Sequence, residues 1–318
     1  MMLSRMGLTA RLFAVALTIV GAIAMTAVGS GTASAAGYQR LTLTGCSMPA
    51  SAVDLWTRPG NYKTVIALSG LRATDGASGW KLLSNVGAMA NSGVNVVAPA
   101  GGMGSFYSDW DRPHGLSSLH YRYRWTCRLN SLVAELDRRG LAVGPARKYA
   151  IMGISMGGNA ALIYGAYHRN RISHAFSMSG YLNLSAPGMR EAIRLTLLDA
   201  GLEAGVGPLN SDDMWGPPWG ERWLANDPFV QAPRMRGMTI RVAAGSALWG
   251  DRDQNLSNSL KGTPLEVLAQ AQTRAFEVAA LTAGLPITTD YPRVGTHSWG
   301  YWEEMAWRAK NTGWFHDR

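Results

Sequence analysis

Cysteine is nearly absent: the 318 residues hold two, Cys46 and Cys127. No histidine cluster stands near either, which argues against a thiolate metal centre, since such sites take about four ligands. The pair is left with two roles. It can close a disulfide in an oxidising compartment, tying the N-terminal segment to a helix, or supply two small buried apolar residues. Lysine is also scarce, five against 25 arginines, within a net charge of +9. No Arg/Lys run and no nucleic-acid motif accompanies that charge, so nucleic acid is not an expected partner, and the basic balance would favour an anionic surface. There is no internal repeat, no long low-complexity linker, and no apolar run of membrane length after the first 35 residues.

What is present begins with an address. Arg5 and Arg11 form a positive start, Leu12 to Met25 is almost unbroken apolar sequence, and Ala33-Ser34-Ala35 fits a small-residue cleavage site. Residues 1–35 are therefore expected to be a secretory signal cut before Ala36, leaving a soluble protein outside the cytoplasm. The competing reading is an uncleaved anchor, because Leu12 to Gly29 is nearly long enough to span a bilayer. Residues 36–318 suit one large α/β domain. Without the two signal arginines the charge is near +7.

Short β-branched segments alternate with longer amphipathic ones, the mark of a mostly parallel sheet with crossover helices. Strands are expected at Thr64–Ser69, Val94–Ala98, Tyr149–Ile154, His174–Met178, Met238–Ala244 and Ile287–Tyr291. Helices are expected at Trp80–Asn91, Arg124–Arg139, Met156–Tyr167, Met189–Ala200, Pro264–Ala283 and Tyr301–Lys310. Pro264 reads as a first-turn proline and Gly284 as the residue past the end. From Leu202 to Pro233 the periodicity dissolves into Gly, Pro, Asp and three tryptophans, Trp215, Trp219 and Trp223. That excursion reads either as a substrate wall or as a structural loop anchored by its tryptophans.

The strongest local signal is Gly153-Ile154-Ser155-Met156-Gly157, immediately after a strand and before a helix. G-x-S-x-G in that setting is a nucleophile elbow, which points to the α/β-hydrolase fold. Its glycines flank a tight turn that lifts the serine hydroxyl clear, and the Met156 amide can donate to a developing oxyanion. A serine nucleophile needs a base, and in this fold the order is serine, acid, histidine. Of six histidines only His297 and His316 lie well downstream. His316, near the end, reads as solvated. His297 sits in a short loop between an apolar segment and a helix, where a base belongs. His114, His120, His168 and His174 read as surface or hydrogen-bonded histidines. Pattern leaves the acid open between Asp251 and Asp253, after a strand, and Glu266, near the start of the next helix. A second oxyanion amide is expected at Leu71, after Gly70. Arg72 reads as a polar-substrate contact or a structural salt bridge.

These blocks together resemble a known family. Gly70-Leu71-Arg72-Ala73 with Gly79-Trp80, then Ser105-Phe106-Tyr107-Ser108-Asp109-Trp110, the elbow itself, and Gly295-Thr296-His297-Ser298-Trp299 are similar to motifs of the antigen 85 mycolyltransferases. The likeness runs in order from about Ser47 to Trp302. It implies a serine acyltransferase moving a mycolyl group from trehalose monomycolate to a second trehalose monomycolate or to cell-wall arabinogalactan. By matching position it implies Ser155 as nucleophile, Glu266 as acid, His297 as base, Leu71 and Met156 as oxyanion amides, and Arg72, Ser298 and Trp299 as sugar contacts. It implies no cofactor and no metal, an outer-envelope setting, and a monomer. Two departures stand out. Ser69 occupies a place where the family usually carries a trehalose-binding aspartate, and the family's cysteine pair after the Ser-Asp-Trp block is missing. The same machinery would serve a lipid or sugar-ester hydrolase, and the scaffold also occurs in non-catalytic envelope-binding or adhesion proteins, typically with a broken triad.

Overall fold

The computed structural model describes residues 36–115 and 117–317. The signal and cleavage site expected over residues 1–35 lie outside them. Eight strands form one sheet: β1 (Gly37–Leu43), β2 (Ser51–Thr57), β3 (Lys63–Leu68), β4 (Val94–Pro99), β5 (Tyr149–Ile154), β6 (Ile172–Met178), β7 (Thr239–Ala243) and β8 (Ile287–Asp290). Their order is β1-β2-β4-β3-β5-β6-β7-β8. β1 and β2 pair antiparallel at one edge, and every pairing from β4 through β8 is parallel. The helices are α1 (Gly79–Leu83), α2 (Trp125–Arg138), α3 (Met156–Tyr167), α4 (Met189–Glu203), α5 (Ser211–Trp215), α6 (Glu221–Ala225), α7 (Pro228–Gln231), α8 (Leu256–Thr282) and α9 (Trp299–Asn311).

The six expected strands are present because each central strand is apolar on both faces, as a sheet covered by helices on both sides requires. Alternation along β3 divides the core. Ile66 and Leu68 join Val97, Ile151 and Leu129 on one face, while Val65 and Ala67 join Val96, Met152 and Trp302 on the other. β1 and β2 are additions to the expected sheet. Residues 37–40 are exposed along this edge, so no continuous apolar run announces the strand.

Two expected helices are corrected. The segment Trp80–Asn91 is not one helix: α1 ends at Leu83, Ser84 is extended, and a separate 3-10 turn covers Val86–Ser92. Pro264 is not in a first turn either. α8 begins eight residues earlier, where the Asn255 side chain caps it by accepting from the Asn258 amide, and Pro264 lies in its interior. There its ring removes one amide from the helical ladder.

Cys46 and Cys127 are bonded, their Cα atoms 5.9 Å apart, which ties the β1–β2 connection to α2. Next to the bridge, buried Arg128 donates to the carbonyls of Leu43, Gly45, Met48 and Pro49 and to the Ser51 hydroxyl. A guanidinium has five rigid donors, so it can gather the carbonyls of an irregular turn around itself. The 202–233 excursion is packed structure: Trp215 and Trp223 are buried, while Trp219 is 80% exposed. The Trp215 indole donates to Ser108 Oγ at 3.0 Å. Among the described residues no helix is long and apolar enough to cross a membrane.

Candidate active site

β5 runs straight into Ser155, and α3 starts at the next residue. Ser155 holds φ 51° and ψ −120°, a backbone region that non-glycine residues rarely occupy and that costs about 1–3 kcal/mol. The surrounding contacts explain why the flanking positions are glycine. A Cβ on Gly153 would sit 2.1 Å from the Gly157 carbonyl oxygen, and one on Gly157 would sit 2.4 Å from that of Ser69. The turn is pinned by the Ser155 amide donating to Met178 at 2.8 Å and by the Gly158 amide donating to Ser155 at 2.9 Å.

Close packing of Gly157 on Ser69 brings the end of β3 against the start of α3. Leu71 and Met156, the expected oxyanion amides, both line a cavity of about 630 Å³ that also holds Ser155 and His297. As the first amide of its helix, Met156 has no intrahelical acceptor. The Leu71 carbonyl, on the next peptide along, accepts from the Gly104 amide at 2.9 Å and fixes the backbone just after the expected donor. The Ser69 amide donates to the buried Tyr107 hydroxyl at 3.0 Å. Burial pushes that phenol well above its usual range, so it stays a neutral hydroxyl.

Of the three candidate acids, Glu266 is the one that contacts the imidazole. Glu266, fully buried on α8, places Oε2 2.7 Å from His297 Nδ1. Its Oε1 accepts from Ser179 Oγ at 2.7 Å and from the Gly245 amide at 2.5 Å. Ser179 in turn accepts from the Trp302 indole at 2.9 Å. A buried carboxylate with three donors has its lone pairs satisfied and its orientation fixed. Asp251 is exposed, and Asp253 is engaged by four donors, none of them the imidazole. Gly262, one turn before Glu266, lets α8 approach the His297 backbone: a Cβ there would sit 3.3 Å from the His297 amide nitrogen. The imidazole lies parallel to Tyr181 and edge-on to Trp302, at 6.2 and 4.9 Å between ring centres. Among the described residues no hydrogen bond joins the Ser155 hydroxyl to the imidazole, although both face the cavity. Such contacts are often long before substrate binds.

The expected sugar contacts behave differently from one another. Ser69 is buried, and its hydroxyl accepts from the Gly79 amide at 3.3 Å. Trp299 fills the space left by Gly79, where a Cβ would lie 2.5 Å from the indole ring. The Ser298 hydroxyl is buried beside the cavity without a hydrogen-bond partner among the described residues. Arg72 is paired with Asp199 at 2.8 Å and Glu203 at 2.5 Å, both on α4. Of the 202–233 excursion Glu203 lines this cavity, and Glu203, Ala204 and Val206 line a second one that shares Arg72, Ala73 and Thr74 with it.

Ser179, Trp302, Gly245 and Gly262 were not expected at the site. Gly245 sits in the loop after β7, and Gly262 falls just before the expected helix start at Pro264, so both look in sequence like ordinary turn residues. Ser179-Gly180 follows a strand and carried the only local hint, small residues at a strand's C-terminal end. Among the other histidines, His168 and His174 are hydrogen-bonded as expected. His114 departs from expectation: it is 4% exposed and neither ring nitrogen has a hydrogen-bond partner among the described residues. No group of three or more His, Cys, Asp or Glu among the described residues is placed to hold a metal ion.

Comparison with known proteins gives the family and the fold. The family described as "Putative esterase" matches residues 42–310. The chain is 31% identical over 310 residues to the diacylglycerol acyltransferase/mycolyltransferase Ag85C of Mycobacterium avium, covering 93% of this chain and 84% of that protein. It is 36% identical over 253 residues to Ag85B of Mycolicibacterium smegmatis, covering 77% and 74%. The solved structure of Mycobacterium tuberculosis MPT51 superposes with a TM-score of 0.70 at 26% identity, covering 87% of this chain and 98% of that one. A Staphylococcus aureus serine hydrolase, FphF, shares the fold at 13% identity, with a TM-score of 0.64 and coverage of 90% and 100%. The chain belongs to this esterase family, on its antigen 85 mycolyltransferase branch.

Proposed function

We propose that the protein is a serine acyltransferase that carries a mycolyl group from trehalose monomycolate to a second trehalose monomycolate or to cell-wall arabinogalactan, through an acyl-enzyme on Ser155. The observation that carries the mechanism is the buried Glu266–His297 pair, 2.7 Å apart, at the cavity where the strained elbow presents Ser155. Glu266 accepts a hydrogen bond from Nδ1–H and so leaves Nε2 as the acceptor for the Ser155 proton. The serine oxygen attacks the ester carbonyl carbon, and the carbonyl oxygen, now negative, takes hydrogen bonds from the Leu71 and Met156 amides. His297 then protonates the departing sugar oxygen. In the second half the acceptor hydroxyl gives its proton to His297 and attacks the acyl carbon, and the imidazolium passes that proton to the departing Ser155 oxygen, restoring both groups.

Cavity chemistry fits an amphiphilic ester. Leu82, Leu83, Phe106, Ile193 and Leu265 supply apolar wall, while Arg252, Asn255, Asn258 and Lys261 supply a polar rim. Transfer over hydrolysis requires that a sugar hydroxyl be held in line, where effective molarity reaches ~10⁵ M or more. The Ser69 position bears on that point. A neutral hydroxyl already accepting from Gly79 grips a sugar less strongly than a carboxylate. With Arg72 tied to α4, this favours hydrolysis of a lipid or sugar ester as the second reading. An adhesion role without catalysis is disfavoured, because serine, glutamate and histidine are all in place. Product analysis separates the readings: purified protein with trehalose monomycolate should give dimycolate and free trehalose, and Ser155→Ala should give neither. Free acid with no diester would select the hydrolase, and no Ser155-dependent product would overturn both.

A further inference from the structure

One of the two aspartates that fit the generic acid position has another task. Asp253 sits in the loop after β7 and collects four donors. Its Oδ1 accepts from Ser259 Oγ at 3.0 Å and Thr296 Oγ1 at 2.5 Å. Its Oδ2 accepts from the Gly250 amide at 2.9 Å and the Tyr301 hydroxyl at 2.6 Å. These donors come from three separate pieces of chain. Ser259 is in the first turn of α8, the helix that carries Glu266. Thr296 immediately precedes His297 and is fully buried, and Tyr301 is in the first turn of α9. We propose that Asp253 is a positioning residue for His297, fastening the base-bearing loop and the start of α9 to the helix that carries its acid partner. The proposal rests on His297 being the base.

Without this fastening, the loop 295–298 would keep the backbone hydrogen bonds of Gly295 to Ala247 and Leu248, but beyond Gly295 one side chain, the imidazole, would bond it to α8. A single hydrogen bond fixes a distance but leaves the ring free to swing. Thr296 and Tyr301 add fixed points before and after His297, and Gly262 lets the loop lie directly on α8. The four donors outweigh the cost of partial burial and hold the Asp253 carboxyl below its usual range, so the clamp is ionised at neutral pH. Asparagine reproduces it only in part: the charge is lost, and with its oxygen held by the Gly250 amide its NH₂ faces the Ser259 and Thr296 hydroxyls, which must turn round from donating to accepting.

The test uses the full chain and a small activated acyl ester, so that neither the natural acceptor nor the length of the acyl chain enters. Asp253→Asn should lower kcat ~10–100-fold with KM changed less than ~3-fold, as displacement of a base by about an ångström does. In a Glu266→Gln background the same change should cost less than ~3-fold, because the imidazole is already misdirected there. Thr296→Val, which keeps the side chain's shape and removes one donor, should lower kcat several-fold with the melting temperature nearly unchanged. A rise in KM at constant kcat would make Asp253 a substrate contact, and a full multiplicative loss in the double variant would make it a general stabiliser. Either result overturns the proposal, as does a parental kcat for Thr296→Val. If instead His297→Ala turned over the ester at the parental rate, the base assignment would fail and not the clamp alone.

Discussion

Replacing Glu266 by glutamine removes one charge and leaves the side chain's shape intact. The structure dictates how the amide must sit. Oε1 faces two donors, Ser179 Oγ and the Gly245 amide, so glutamine's oxygen has to occupy that side. Its NH₂ group then points at His297 Nδ1, 2.7 Å away in the parent. Two donors cannot face each other, so the ring must carry its proton on the other nitrogen, the one needed to receive the serine proton. Two of the three hydrogen bonds survive, and the protein should fold. The active tautomer does not survive, and a triad altered in this way loses about 10³–10⁴ in kcat, or ~4–5.5 kcal/mol of barrier. Steady-state hydrolysis of an activated ester reports the loss, and far-UV circular dichroism with a melting curve checks the fold. A folded Glu266→Gln protein within tenfold of parental kcat would refute the tautomer argument and remove Glu266 from the mechanism.

Three further outcomes follow from other parts of the molecule. Burial pushes the His114 imidazole down to about 4, from an ordinary 6.5, among Trp110, Tyr121 and Tyr123. The unfolded chain then binds this proton first, so stability contributed by the neutral ring is present above pH 6.5 and is lost as pH falls towards 4, by roughly 2–4 kcal/mol. Urea titrations across that range should show the loss, and His114→Phe should flatten it; an equal slope in both proteins would contradict the assignment. Opening the Cys46–Cys127 bridge frees a loop spanning 81 positions, worth ~4–5 kcal/mol in a chain-entropy treatment. Cys127→Ser should therefore lower Tm by on the order of 10 °C, and a Tm insensitive to reductant would show that the bridge does not constrain the chain. Gly157→Ala places a methyl 2.4 Å from the Ser69 carbonyl oxygen, which must drive β3 away from α3 and spread the two oxyanion amides. Both Tm and kcat should fall, and parental kcat would argue against Leu71 as a donor.

What could be read from sequence was local. Tyr149–Ile154, Ser155 and Met156–Tyr167 stand as expected because strand, turn and helix signals are adjacent and agree with one another. Glu266 was not legible in that way. It lies 31 positions from His297 on a helix whose charges look like a solvated face, and only the family likeness selected it over Asp251 and Asp253. Those two satisfy the generic rule of an acid after a strand. Chain geometry defeats the rule, since Asp253 is consumed by Thr296, Tyr301, Ser259 and Gly250. Pro264 misled for a related reason. Proline is common in first turns, but a 27-residue helix packed along its length tolerates the loss of one ladder bond. His114 escaped because burial without a partner leaves no mark on composition. The β1 edge escaped because its residues face water.

The central claim is that an acyl group resides on Ser155, and trapping it tests this most directly. Parent protein quenched in acid during turnover of trehalose monomycolate, digested and examined by mass spectrometry, should show the acyl mass on the peptide containing Gly153–Gly157. Ser155→Ala should show none. Sustained Ser155-dependent turnover with the adduct on another residue, or an acylated Ser155→Ala protein, would contradict the account.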